Sequence, residues 1–361
     1  MTAPSIWCQP LASASGPRLL RRPVQLLRLH GPDSLRFLHG QTSQDLALAP
    51  PGAWLSTCCI TPTARLRALA EVLVEAQGAL LVITAGDAAA VRQAFDRVLF
   101  PADAVELGPL QEGVWLEPLD VEEAPEAAAM GAGIAAGSAG EAPARPGWHV
   151  LPAGGWRLGK ALLLPSEAPL PAGLQALQPL EPWEAEFRRL RLGLPAVPGE
   201  INDAVNPFEL GLAGRVSLSK GCYVGQETLA RLATYDGVKQ QLRRWHAAAP
   251  ADGSAAEGLQ PRIGSPLRTA AGERGGVISS CLALPDGRGW VGLALVRRAA
   301  LGESALWIEP ELAPEAEPAR EASPAQEAAA APAAGSPGLC LQISVPELFQ
   351  PPPQGAGGQG R

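Results

Sequence analysis

Between Ser219 and Glu227 the chain reads S-K-G-C-Y-V-G-Q-E, so an ammonium, a thiol, a phenol, an amide and a carboxylate crowd around two glycines. Glycine permits positive φ and close backbone approach to a ligand, and Gln226 and Glu227 are placed to open a helix continuing through Leu229, Ala230 and Arg231. Cys222 then sits beside Lys220 and near a helix N-terminus, the surroundings that favour a thiolate. It is the candidate redox thiol of the chain, with Lys220 as its partner, and a buried inert thiol is the competing reading. Cys58 and Cys59 lie in an apolar, strand-like run and read as core thiols. The six cysteines form no C-x-x-C pair, and His30, His39, His149 and His246 never take the i, i+4 spacing of a helical zinc site, so no metal site is read.

The elements that must hold this segment alternate between two periods. Val24–Leu29 reads as a strand, Gly31-Pro32-Asp33 as a turn, and Ser34–Leu38 as a helix capped by Asp33 or Ser34. Its far end is a polar edge, Gln41 to Asp45. Trp54–Ile60 and Leu66–Val74 read as paired strands, Ala79–Thr84 as a third, and Asp87–Leu99 as a helix. Trp156–Leu164 resumes strand character and Glu181–Leu192 is helical from Pro182, with Trp183, Phe187 and Leu190 on one side. Short strands then follow, at Gln241–Ala247, Ile263–Leu267, Gly276–Leu284, Gly289–Val296, Leu306–Glu309 and Leu339–Val345, and suggest a small antiparallel barrel.

The 361 residues exceed a usual single core, and 40 Gly and 37 Pro mark much irregular sequence. The expected organisation is an N-terminal extension over 1–23, one α+β region over 24–116 and 147–240, and a disordered insertion over 117–146. A C-terminal barrel over 241–350 carries a low-complexity loop at 310–337, and a disordered tail spans 351–361. A net charge of -7 argues against a protein held to nucleic acid by phosphate neutralisation. No apolar run approaches the length of a membrane span. Arg18, Arg21 and Arg22, with no acid before Asp33, have the composition of a transit peptide, against which stands a folded pattern already starting near Val24. Cysteine usage favours a reducing compartment, the cytoplasm, with an organelle matrix or stroma as the alternative.

The run Lys220 to Glu227 resembles the signature of the YgfZ-type folate-binding proteins, relatives of the glycine-cleavage T-protein. Gly31-Pro32-Asp33 with Phe37 to Gln41 and Thr42 to Asp45, Thr61-Pro62 with Arg65, and Pro182 to Pro195 resemble other blocks of that family. The resemblance implies an α+β, multi-part GcvT-like fold around a central folate cavity, with tetrahydrofolate or a derivative as cofactor. It implies an auxiliary factor supporting assembly or repair of iron-sulfur clusters, with client or assembly proteins as partners, no membrane, and tRNA contact indirect at most. A folate-dependent aminomethyltransferase or demethylase is the alternative.

Chemically, Arg189 and Arg231 suit a folate's glutamate tail, while Gln41, Asp45 and Glu227 suit the pterin edge, with Tyr223 and Gln226 completing the candidate folate-binding set. A helix-surface arginine, an internal ion pair and a turn cap are the competing readings for Arg189, Arg231 and Asp45.

Three positions depart from the resemblance. Where the T-protein presents an aspartate pair, this chain has Ala68-Leu69, with Glu71 the one nearby acid, which disfavours aminomethyl transfer. Gly154-Gly155-Trp156 stands where a pterin-facing glutamate is expected, and Ala64 replaces a glycine in a position that matters if positive φ is needed.

Overall fold

The computed structural model describes residues 6–8, 16–119, 149–151, 161–249, 260–285, 287–308 and 338–353. Most of the insertion expected at 117–146, the loop at 310–337, most of the tail and Gly154-Gly155-Trp156 lie outside these residues. The chain divides into two compact units, Met1–Val238 with Leu348–Arg361, and Lys239–Glu347.

The first unit is built on a long strand, β1 (Arg18–His30), which pairs antiparallel with β4 (Gly78–Gly86) on one side and β5 (Glu106–Leu119) on the other. Adding β2 (Trp54–Ile60), β3 (Leu66–Glu75), β6 (His149–Leu151) and β7 (Ala161–Pro165) gives the order β2-β3-β4-β1-β5-β7-β6. The short β8 (Gln178–Pro179) runs parallel to the start of β1.

Alternation along the strands sends two sets of side chains to opposite faces. Leu27, Leu29, Ala70, Val72, Leu81 and Ile83 pack under α1 (Ser34–Gln41) and α2 (Ala88–Asp96), whose Phe37 and Phe95 meet edge to face. Val24, Leu26, Leu73, Leu80, Val82 and Trp115 form a separate core cluster. After the four-residue α3 (Ala172–Gln175) comes α4 (Pro182–Leu192), which starts on a capping box between Glu181 and Glu184 and stops at Gly193 in the left-handed conformation. The signature residues lead into α5 (Gln226–Thr234).

The second unit is a closed antiparallel barrel of six strands, as the Gly- and Pro-broken pattern implied. They are β9 (Gln240–Ala248), β10 (Pro266–Arg268), β11 (Arg274–Ala283), β12 (Gly289–Arg297), β13 (Ala305–Ile308) and β14 (Leu339–Ser344), in the order β10-β11-β12-β9-β14-β13. Trp245, fully buried at the centre with Leu267, Ile278 and Leu306, donates its indole N–H to the Leu293 carbonyl at 3.0 Å.

Several expectations shift. β1 begins six residues before Val24, because Arg18 is buried against Glu184 at 2.5 Å, so the basic residues of the N-terminus belong to the sheet. β5 runs through Glu117 to Leu119, past the expected start of the insertion, because Glu117 pairs with Arg188 of α4. Asp33 occupies the N-cap of α1 without capping it: its carboxylate accepts from the Ala104 N–H and pairs with Arg36. Ala64 takes φ 58°, so the left-handed backbone that a glycine favours is present without the glycine.

Candidate functional site

Helix α1 ends at Gln41, leaving carbonyls without intrahelical donors. Lys220 supplies the donors. Its ammonium is buried and donates to the carbonyls of His39, Thr42 (2.6 Å) and Gln44 (2.7 Å), which uses all three of its N–H bonds. Burial pulls the ammonium down to about 7, with Asp45 opposing, and the three carbonyl oxygens also hold its proton. The Val224 N–H donates to Gly40 and the Ser217 N–H to Ser43, so the signature loop is laced to the end of α1 along its length. Gly225 takes φ 79°, and a Cβ there would meet the Thr61 carbonyl oxygen at 2.7 Å, so this glycine is fixed both by conformation and by close approach.

Tyr223 lies under Lys220, with the ammonium 4.3 Å from its ring centroid. Its hydroxyl is buried without a hydrogen-bond partner among the described residues, and burial raises its pKa. Gln226 opens α5 and its side-chain amide donates to the Lys220 carbonyl at 3.1 Å. Cys222 is exposed, separated from the committed lysine by Gly221, which has open space around it. The buried inert thiol therefore belongs to Cys58 and Cys59, whose burial pushes them up to about 11 and about 12, and not to Cys222. His39 accepts the Leu46 and Ala47 N–H groups at Nδ1, both at 3.2 Å, and its pKa is lowered by burial and then by Lys220, against Asp45 at 3.4 Å.

Gln41, Asp45, Lys220, Cys222, Tyr223 and Gln226 thus gather at the end of α1. Glu227 and Arg231 pair with each other on the exposed side of α5 at 2.6 Å. Arg189 stands apart from the signature loop: its guanidinium takes both Glu186 oxygens, the Leu194 carbonyl and Glu200. Its chemistry had suggested a group for a folate tail, with a helix-surface arginine as the competing reading; in the structure its bonds brace the end of α4.

The residues that sequence reasoning missed are a row of buried charges in the same unit. Arg18 pairs with Glu184, Arg188 with Glu117 at 2.5 Å, and Arg215 with Glu71 at 2.9 Å. Glu71 also accepts from Ser56 at 2.7 Å, so this acid is bound in place and not poised as a base near Ala68 and Leu69, which are themselves buried. Arg22, facing its cross-strand partner Trp115, has its guanidinium 5.3 Å from that ring, and its buried Nε has no hydrogen-bond partner among the described residues. Burial lowers its pKa, opposed first by Glu117. The signal for this row was charges set among apolar strand residues, Arg18 and Arg22 in β1, Glu71 in β3 and Glu117 in β5, whose partners are far away in sequence.

A separate cleft of about 700 Å³ opens beside Gln25, Arg67, Asp87, Leu110, Ile201 and Asn202. Its volume falls in the range of small-molecule sites. It holds none of the residues singled out by the signature, and the Asp87 carboxylate already caps α2 through the Ala90 N–H at 2.9 Å. Among the described residues no group of His, Cys, Asp and Glu is placed to hold a metal, and no helix is long and apolar enough to cross a membrane.

No family model matches the chain. It is 28% identical over 296 residues to an Arabidopsis thaliana chloroplastic protein named "putative transferase", covering 76% of this chain and 63% of that relative's length. Its structure is similar to that of the glycine cleavage system aminomethyltransferase T from Bartonella henselae, with a TM-score of 0.67 at 19% identity, covering 94% of this chain and 87% of the other. The α+β arrangement with its six-stranded barrel is thus the GcvT-like fold.

Proposed function

We propose that this protein binds a tetrahydrofolate and acts as an auxiliary factor in the assembly or repair of iron-sulfur clusters in other enzymes, with Cys222 as its working thiol. The observation that carries the reading is the contrast between an exposed cysteine and the rigid support beneath it. Lys220 commits every donor to the end of α1, so the loop is held still while Cys222 is presented to a partner. One cysteine cannot enclose a cluster that takes four thiolates, which suits transient contact with a client better than storage.

Buried donors without partners among the described residues, the Tyr223 hydroxyl, the Trp115 indole N–H and Arg22 Nε, fit an acceptor-rich ligand such as folate, with its carbonyl and carboxylate oxygens. Bound tetrahydrofolate supplies a ring amine able to carry a one-carbon unit. The reading suits a reducing cytoplasm or organelle, because Cys58, Cys59, Cys222, Cys281 and Cys340 are all free.

The name of the Arabidopsis relative and the likeness to an aminomethyltransferase favour a second reading, a folate-dependent aminomethyltransferase or demethylase. Against it stand Ala68 and Leu69 in β3 and a Glu71 already neutralised by Arg215. The deciding experiment supplies Cys222→Ser to a strain lacking the native protein and assays several iron-sulfur enzymes. Unchanged folding with lost rescue is expected; full rescue removes the thiol role. Formation of methylene-tetrahydrofolate from a methylamine donor by the purified protein instead establishes the transferase.

A further inference from the structure

We infer that Arg22 is the anchor of a binding site for a carboxylate-bearing small molecule inside the first unit. The charges around it do not balance. Arg18, Arg22, Arg188 and Arg215 face Glu71, Glu117 and Glu184, and each of these three carboxylates is bonded to an arginine other than Arg22. Among the described residues the row therefore holds four guanidinium groups against three carboxylates, and the one without a paired carboxylate is Arg22, whose buried Nε has no hydrogen-bond partner there.

An arginine has five N–H donors, and a protein that encloses one without acceptors loses stability for no structural return. Arg22 is densely surrounded, yet its side chain keeps partial solvent access, so a ligand can reach it. Trp115 holds the guanidinium from one ring face, which leaves its planar edge to an incoming carboxylate in bidentate geometry. The indole N–H of Trp115 is a further buried donor without a partner on the same pair of strands. The inference stands on this geometry whether or not the ligand is a folate. The glutamate end of a folate and a free dicarboxylate offer the same group.

The test titrates wild type, Arg22→Met and the exposed neighbour control Arg21→Met with three probes: p-aminobenzoylglutamate, glutarate, and tetrahydropterin, which has no carboxylate. Wild type and Arg21→Met are expected to bind at least one carboxylate probe, and Arg22→Met to bind it at least about tenfold more weakly. Methionine keeps the packing on Trp115 and removes an uncompensated charge, so the thermal midpoint of Arg22→Met rises by about 2–4 °C. Arg22→Lys retains part of the affinity.

Binding of p-aminobenzoylglutamate alone assigns the site to a folate tail, and binding of glutarate assigns it to a free dicarboxylate. Glutarate binding by a protein that does not bind tetrahydrofolate supports this site while removing the folate reading. Tetrahydropterin binding with neither carboxylate probe bound does the reverse. The inference is overturned if neither carboxylate probe binds wild type, if Arg22→Met binds as tightly as wild type, or if that variant melts lower or fails to fold, as it would for a purely structural arginine.

Discussion

Lys220→Met separates a lysine that does chemistry from one that holds a loop. In the folded protein Lys220 is 6% exposed and its ammonium satisfies the carbonyls of His39, Thr42 and Gln44. Methionine fills much the same volume but leaves three backbone acceptors unanswered at the end of α1, each costing about 1–3 kcal/mol where it stays buried. Part of this is returned because the charge no longer has to be desolvated, and a net loss of about 3–5 kcal/mol follows, as for other buried charges stripped of a partner. For a unit of this size that is a fall of roughly 10 °C in thermal midpoint. Lys220→Arg should suffer nearly as much, because a planar fork cannot meet three carbonyls arranged around one nitrogen. The assay is thermal and urea unfolding by circular dichroism, with maleimide labelling of Cys222 as a local probe of the loop. If Lys220→Met unfolds within about 2 °C of wild type, the carbonyl cage is not what holds the signature loop, and Lys220 is free for another role.

Ala64→Gly is expected to stabilise, because alanine at φ 58° carries a steric penalty of about 1 kcal/mol that glycine lacks; part of the gain is returned as unfolded-chain entropy. A rise in urea midpoint of a few tenths molar checks it, and a fall refutes the strain. His39 makes stability depend on pH. Its folded pKa lies below the ordinary histidine value, so its contribution is complete above about 6.5 and is lost as pH falls through the folded value. Thermal midpoints between pH 7.5 and 5.5 should therefore decline more in wild type than in His39→Gln, whose amide oxygen accepts from the same backbone at either pH.

Elements with a clean period were legible from the sequence. β2, β3, β4, α2 and α4 lie within a few residues of where alternation and capping place them. β5 was not, because its 14 residues carry glutamates and prolines whose justification is distant: Glu117 answers to Arg188, 71 residues away. The same blindness shortened β1, where Arg18 and Arg22 read as a polar leader until Glu184 and Trp115 are brought alongside. The signature was legible as chemistry but not as geometry. Spacing put Lys220 next to Cys222 and suggested that one activates the other. In the structure its ammonium is turned to the carbonyls of His39 in α1 and of Thr42 and Gln44 just after it, a part of the chain that spacing cannot see. The Arg189–Glu200 ion pair was illegible for a related reason, since Gly193 turns the chain back after α4 before Glu200 reaches it.

The buried charges bear on which substrates the fold can handle. An aminomethyl donor brings a cationic or proton-seeking amine, which needs a carboxylate beside it. In this chain β3 offers Ala68 and Leu69, Glu71 is tied to Arg215 and Ser56, and among the described residues the surrounding row leaves Arg22 without a paired carboxylate. A cationic group about 6 Å from that charge, at an effective dielectric of about 20, is opposed by roughly 3 kcal/mol, and an anionic one is favoured by the same amount. That difference is about two powers of ten in each direction, larger than a single neutral hydrogen bond can reverse. If Arg22 anchors the proposed carboxylate site, the same fold that serves an aminomethyltransferase is there electrostatically set against an ammonium substrate and toward a carboxylate. Substituting Arg22 alone should remove that bias while Lys220 continues to hold the loop that presents Cys222.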